Sequence, residues 1–365
     1  MMEFYLANLT IESLTIIPRR RSTTGYVGVR ETIPGSTLGG AILNALRRNN
    51  KITAQEAEEL AKSRALRCSP AFRREKSLLY PSHPFIWQCK EPDCKQYVNS
   101  IGEVLKMLDS GSEPGPEVIR SACDKGHRAL DKVHPRPLPA EILRQGGTRK
   151  KEEEKEEENE DLKSVKVISV PVSRHRASSI EGALYSYETI PSGLEYWAII
   201  AVREGVLDGG VDVLRVGRGI SKGFGKVKLS LKRIDVEKLQ NAAPAKAGHT
   251  VLYSLSPVVL RDVNRTIDLS TYSGLPGKVK VKAVYGLSTT IGGWDIRRNM
   301  EWRVVNAASP GSLVVAELEG DGASVAHGLT LIGLMGEKID FGEFAVVGLN
   351  MMLPINIVLG DVLAS

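Results

Sequence analysis

Apolar and polar residues alternate from Phe4 to Ile17, the two-residue period of a strand. Phe4, Leu6, Leu9, Ile11, Leu14 and Ile16 are its expected inward side chains. Pro18 and three arginines, Arg19, Arg20 and Arg21, mark its end. The period then lengthens. Leu38, Ala41, Ile42, Ala45 and Leu46 fall three and four apart and draw one apolar helix face. Pro34 and Gly35 make the turn before it, and Ser36 is the expected N-cap. Gly39 and Gly40 each weaken a helix by roughly 1 kcal/mol relative to Ala. They point to close packing, by a sheet or by a bound strand. A second helix follows from about Ala54 to Ser63.

Residues 66 to about 145 lose this periodicity. Strands resume at Val165 to Val172 and at Leu194 to Val202. After Ala242-Ala243-Pro244-Ala245, which reads as a domain junction, a second unit begins. Val251 to Leu260, Val279 to Val284, Ser312 to Leu318 and Phe344 to Leu349 read as strands, and Ala326 to Met335 as a short helix. Gly342-Glu343-Phe344-Ala345-Val346-Val347-Gly348 weakly echoes Gly223-Phe224-Gly225-Lys226-Val227, as two copies of one small α+β fold would.

The point of greatest chemical interest is Gly217-Arg218-Gly219-Ile220-Ser221-Lys222-Gly223-Phe224-Gly225. Its glycines permit positive φ and close backbone approach. Arg218, Lys222 and Lys226 bring positive charge. The strand that follows alternates Lys226, Lys228, Ser230 and Lys232 with Val227, Leu229 and Leu231. A cationic, amide-rich loop lying on a sheet suits a phosphate backbone. A tight connection with water-facing charges is the plainer reading. The spacing is neither the dinucleotide-binding G-x-G-x-x-G nor a P-loop. The downstream motifs of a kinase are missing.

Charge supports an anionic partner. The 365 residues carry a net +6, but residues 152–161 hold eight acids and one lysine. Without them the balance is 48 basic to 35 acidic residues, or +13. The length suffices for two domains. No apolar run is long enough for a membrane span, the N-terminus does not read as a signal peptide, and the cytoplasm is expected. Residues 146–164 read as a disordered, charged linker.

In the aperiodic stretch, Cys89-x4-Cys94 is followed by Cys123-x3-His127, two ligand pairs arranged as in zinc ribbons. A structural zinc would hold an insertion with too little core of its own. Cys68 and His83 are substitute ligands, and four buried free cysteines are the alternative. Nucleic-acid contacts are expected from Arg19, Arg20 and Arg21, and from Arg174, His175 and Arg176. Trp294, with Arg297 and Arg298, lies between two expected strands. It would either stack on a base or anchor a long loop.

The order of these features resembles one family. Ile33-Pro34-Gly35-Ser36-Thr37-Leu38-x-Gly40-Ala41 resembles the signature of the RAMP proteins, the repeat-associated CRISPR proteins. Family members commonly carry Arg or Lys where this chain has Gly39. Gly217–Gly225 resembles the glycine-rich loop of the same superfamily. Arg174-His175-Arg176, followed by Glu181-Gly182-Ala183-Leu184-Tyr185, is similar to the segment before that loop. Ala307-Ala308-Ser309-Pro310-Gly311-Ser312 resembles a strand opening in the second half of larger members. With the cysteine-bearing insertion, the chain resembles the large double-domain RAMP subunit of type III-D effector complexes over roughly residues 4–350.

The resemblance implies two ferredoxin-like (RRM-like) domains in tandem. The first would span 1–240, with the insertion at 66–145, and the second 246–365. It implies a non-catalytic subunit of an antiviral effector complex that holds the guide RNA (crRNA) around its repeat-derived 5′ handle. Ser36, Gly217, Arg218, Ser221, Lys222, Gly223, Phe224, Gly225 and Lys226 would join the RNA surface. Other RAMP subunits and the large signature subunit would be partners. Two catalytic readings stand beside this one. One is a metal-independent nuclease that processes the crRNA precursor, using His175, Tyr185 and Lys222. Such nucleases usually carry the glycine loop near the C-terminus. The other cleaves target RNA through Asp208, Asp212 or Asp295.

Overall fold

The structure, a computed structural model, describes residues 2–22, 25–29, 32–63, 65–110, 112–114, 122–147, 165–169, 172–173, 178–179, 185–207, 210–244, 248–259, 265–295, 300–341 and 344–364. It is a mixed α/β protein built mostly of sheets. The first sheet comprises β1 (Met2–Ile11), β2 (Leu66–Cys68), β3 (Glu195–Arg203) and β4 (Lys226–Arg233), with helix α1 (Gly35–Arg48) against one face. The second comprises β5 (Gly248–Ser254), β6 (Gly277–Tyr285), β7 (Leu313–Gly320) and β8 (Met352–Pro354), with helix α2 (Gly322–Met335). Both run antiparallel in the same permutation, β4-β1-β3-β2 and β8-β5-β7-β6. Val213–Arg215 extends the first sheet beside β4, and Thr266–Asp268 extends the second beside β6.

β1 is buried on both faces. Phe4 and Leu6 enter one core, and Ala7, Leu9 and Ile11 enter another with α1. The predicted strand from Phe4 to Ile17 therefore stops early. The chain bends near Ser13 and resumes as single bridges, Thr15 to Ile190 and Ile16 to Arg218. Leu14 is only half-buried. Pro18 opens a new strand, Pro18–Ser22, rather than closing the old one, because a proline without N–H fits a strand's first residue. Arg19, Arg20 and Arg21 thus lie within a strand. It pairs with Gly25–Val29, which runs parallel to Tyr185–Thr189.

The apolar face predicted for α1 is the one buried: Leu38, Ala41, Ile42, Ala45 and Leu46. Its start differs. Pro34 holds the N-cap position without a side-chain bond, and Ser36 sits exposed in the first turn. The close approach falls on Gly35, where a Cβ would lie 2.2 Å from the Cys68 carbonyl, and not on Gly40, which faces open space. The second helix, Ala54–Lys62, is closed by a capping box between Thr53 and Glu56.

Residues 66–74 stay with the first sheet, since Leu66–Cys68 and Phe72–Arg74 both pair with β3. The chain then crosses to the space between the sheets. Leu78, Tyr80, Ile86, Ile101, Val104 and Leu143 share one core with Phe4, Leu6 and Trp197 of the first half and with Tyr253 and Leu313 of the second. The expectation of an insertion poor in core is corrected: this segment is a wedge in the largest core. Its apolar residues come in short bursts on several small elements, so no single period reveals them. Tyr253 donates to the Pro81 carbonyl, and Trp197 Nε1 donates to that of Leu79 at 2.8 Å. Arg67 Nη1 donates to the Gly336 carbonyl at 3.0 Å and so caps the end of α2. Among the described residues, no helix is long and apolar enough to cross a membrane.

The stretch from Thr289, expected between two strands, is itself a strand, Ser288–Asp295, paired with Met300–Ala308. The expected charged linker lies outside the described residues from 148 to 164, while Gly147 bonds to Tyr97.

Candidate nucleic-acid interface and metal centre

The glycine loop joins Val213–Arg215 to β4 through one short 3-10 turn, Ile220–Lys222. Gly217, Gly219, Gly223 and Gly225 all have positive φ, between 72° and 90°. A Cβ on Gly217 would lie 2.4 Å from the Ile16 carbonyl, and one on Gly225 would lie 2.1 Å from that of Val216. These approaches let Arg218 N–H donate to Ile16 at 3.0 Å and Gly225 N–H donate to Leu14 at 2.9 Å. Phe224 N–H returns to the Gly219 carbonyl at 3.3 Å and Lys222 N–H to the same oxygen at 2.8 Å. The loop thus spends much of its amide donation on its own shape. What it turns outward is side chains: Arg218, Ser221 and Lys222 are exposed.

The cations differ in setting. Lys226 pairs with Glu12 at 2.9 Å, which offsets its charge. Lys228 and Lys232 are exposed along β4. Lys222 Nζ stands 5.7 Å from the centre of the Tyr187 ring, and that ring lies 6.3 Å from Phe224. Tyr187 was missed by sequence reasoning, although Tyr185-Ser186-Tyr187 is an aromatic pair at strand spacing. The Ile16 to Arg218 bridge brings the chain entering Arg19–Arg21 beside the loop, and Tyr187 is the Cα partner of Tyr26 in the adjoining sheet. The loop, the arginine strand and Tyr187 therefore share one neighbourhood.

Other expected residues are not gathered here. Arg174, His175, Arg176, Arg297, Arg298 and Asp208 lie outside the described residues, as do the side chains of Arg19, Arg20, Arg21, Tyr185, Trp294 and Asp295. Asp212 is exposed, and its carbonyl accepts from Leu229 N–H at 2.8 Å.

The expected ligand pairs do converge. Cys89, Cys94, Cys123 and His127 place their donor atoms within 4.8 Å of one another. Cys89 ends a short strand, a turn bonded from Cys94 N–H to the Glu91 carbonyl supplies the second thiol, and a turn closed by Gly126 N–H to Cys123 supplies the rest. Cys94 Sγ is 3.8 Å from Cys123 Sγ, and Cys89 Sγ is 3.5 Å from His127 Nδ1. A tetrahedral zinc spaces sulfur and nitrogen ligands by roughly 3.5–4 Å, so this donor set fits one. The three cysteines are buried and His127 is half-buried. The substitute ligands are excluded. Cys68 lies in β2, its thiol pushed up to about 12 by burial. His83 is buried with its Nε2 3.0 Å from the Leu143 carbonyl.

No family model and no curated protein matches this sequence. Among solved structures, the chain is similar to a chain of the cryo-EM structure of the type III-B Cmr-beta bound to cognate target RNA and AMPPnP. Identity is 14%, 85% of this chain and 86% of that chain are covered, and the TM-score is 0.47. A chain of the Csm3-Csm4 subcomplex in the type III-A CRISPR-Cas interference complex matches at 14% identity, over 95% and 99% of the two chains, with a TM-score of 0.40. Oligomeric Cmr4 from Pyrococcus furiosus matches at 14% identity, over 64% and 100%, with a TM-score of 0.30.

Proposed function

We propose that the protein is a non-catalytic subunit of a type III CRISPR effector complex and holds crRNA around its repeat-derived 5′ handle. The observation that carries this reading is the glycine loop. Backbone contacts that only glycine permits hold Arg218, Ser221 and Lys222 at an exposed tip, beside the exposed lysines of β4. A cationic turn already fixed in shape loses little entropy when it meets phosphates. The motif order in the sequence supports the same assignment. The shared strand permutation supports two ferredoxin-like halves, 1–240 and 246–365, each keeping one long helix. In this reading the arginine strand extends the phosphate track, and Tyr187 offers a ring beside single-stranded bases. Partners are crRNA, other RAMP subunits and the large signature subunit, in the cytoplasm.

The test is purification of tagged protein from its native cells, with co-purifying RNA sequenced. Short RNAs sharing a fixed 5′ tag, accompanied by other subunits and without turnover, are expected. Protein that emerges alone and free of RNA overturns the reading. Arg218→Ala and Lys222→Ala should each weaken RNA binding and flatten its salt dependence by about one charge unit. Unchanged slopes remove the loop from the RNA surface.

We also propose that Cys89, Cys94, Cys123 and His127 hold one structural zinc. When bound, it cross-links two turns some 30 residues apart in the chain. Elemental analysis of protein prepared without chelators should find about one zinc per chain. A metal-free result, with unchanged melting in chelator, removes the site.

A further inference from the structure

The hairpin Ser288–Ala308 is gripped at both ends of its root by one buried imidazole. Ser309 Oγ, just past the hairpin, lies 2.9 Å from His134 Nε2. The amide of Leu287, just before it, donates to the same Nε2 at 3.3 Å. The opposite ring nitrogen, Nδ1, bonds to the Ser82 carbonyl. These partners fix the tautomer: a carbonyl can only accept and an amide N–H can only donate. Nδ1 therefore carries the proton, Nε2 is bare, and Ser309 donates to it. The imidazole is neutral.

We propose that His134 is a positioning residue for the 288–308 hairpin, which it fixes when neutral and releases when protonated. A second proton could go only on Nε2, where it would meet the Leu287 N–H head-on and take the acceptor from Ser309. His134 is 6% exposed and Ser309 5%, so water cannot replace these bonds without opening the joint. The surroundings oppose the charge. Burial lowers the proton affinity of His134 below the ordinary histidine range, the Ser82 contact works against that, and the Lys132 ammonium adds to it. His83, on the neighbouring segment, is likewise disfavoured as a cation by burial and by His134. The hairpin root supplies a serine hydroxyl and an amide, neither of which titrates in this range. Beyond its root the hairpin has partial support. Ile291 and Val305 pack on a small cluster with Ile339 and Leu349, while Val304 on the other face is 61% exposed. Its direction thus depends on the root. The link from hairpin to RNA rests on the function proposed above; the hinge does not.

The experiment is amide hydrogen exchange on the full chain between about pH 7.5 and about pH 5, with protection factors for 288–308 referred to those of β1. In the wild type, hairpin protection should fall roughly tenfold more than that of β1 as the pH drops. His134→Gln can still accept and donate but cannot titrate, so its hairpin should stay equally protected across the range. A wild-type hairpin whose protection tracks β1 overturns the hinge, as does a Gln variant with the wild-type pH response. The wild-type series needs no variant to fold. Affinity for single-stranded RNA, measured over the same range, separates the two proposals. A fall with pH in the wild type alone supports both. Loosening with unchanged affinity supports the hinge and removes the hairpin from the RNA surface. Failure to bind RNA at about pH 7.5 overturns the function, while the hinge still stands or falls on the exchange rates.

Discussion

Gly225 admits no side chain. Its φ of 76° is left-handed, and a Cβ would overlap the Val216 carbonyl at 2.1 Å. Gly223, two residues earlier, also has positive φ, but a Cβ there would meet nothing within 4 Å. The pair separates conformational cost from steric cost. Gly223→Ala should lose roughly 1–2 kcal/mol through φ alone. Gly225→Ala should lose that plus a backbone displacement, about 3 kcal/mol or more in all. Urea unfolding checks this through the midpoints, provided the slopes match. Equal losses would mean that close approach does not pin the loop. At this scale the sequence already shows the glycines and the cations. It cannot show that Glu12 offsets Lys226 or that Tyr187 lies beneath Lys222, because each contact joins strands far apart in the chain.

Among elements, those whose burial follows a single period were legible. α1 is one: its apolar stripe names the buried residues without error. Its cap was not, because Pro34 in extended conformation starts the helix one residue before Ser36. Thr53 does cap its helix, accepting from Glu56 N–H at 3.1 Å while the Glu56 carboxylate takes the Thr53 amide at 2.7 Å. Thr53→Ala should therefore cost about 1 kcal/mol and Ser36→Ala less than about 0.5 kcal/mol. Chemical denaturation of the two variants distinguishes them, and equal losses would deny the capping box its role. The strand Ser288–Asp295 hid behind Gly292-Gly293, which reads as a break. The register shifts there, between Ile291 and Gly293, so the glycines mark a bulge in a continuing strand. The metal ligands were legible from spacing alone, because each pair comes from one tight turn and needs only the two turns to meet.

The whole molecule is joined through the wedge between its sheets, and the wedge carries a pH dependence. His83 is buried and neutral: Phe85 N–H donates to its Nδ1, and its Nε2–H donates to the Leu143 carbonyl. Burial pushes its pKa from 6.5 down to about 4. The unfolded chain therefore takes up the proton first. Stability is full above about pH 6.5 and drains as the pH falls toward about 4, with roughly 2 kcal/mol gone by about pH 5. Unfolding measured at both ends of that window should show this loss in the wild type and much less in His83→Gln. An identical loss in both would assign it to other groups. The wedge has another effect, in time rather than in energy. Pro81 leaves the ribosome 172 residues before Tyr253, the side chain that closes over its carbonyl. At ordinary elongation rates that is an interval of roughly 10–35 s. Throughout it, the nascent first half presents Tyr80, Ile86 and Ile101 with half their covering not yet made. The order of synthesis thus makes the growing chain a client for whatever shields apolar surface at the ribosome exit.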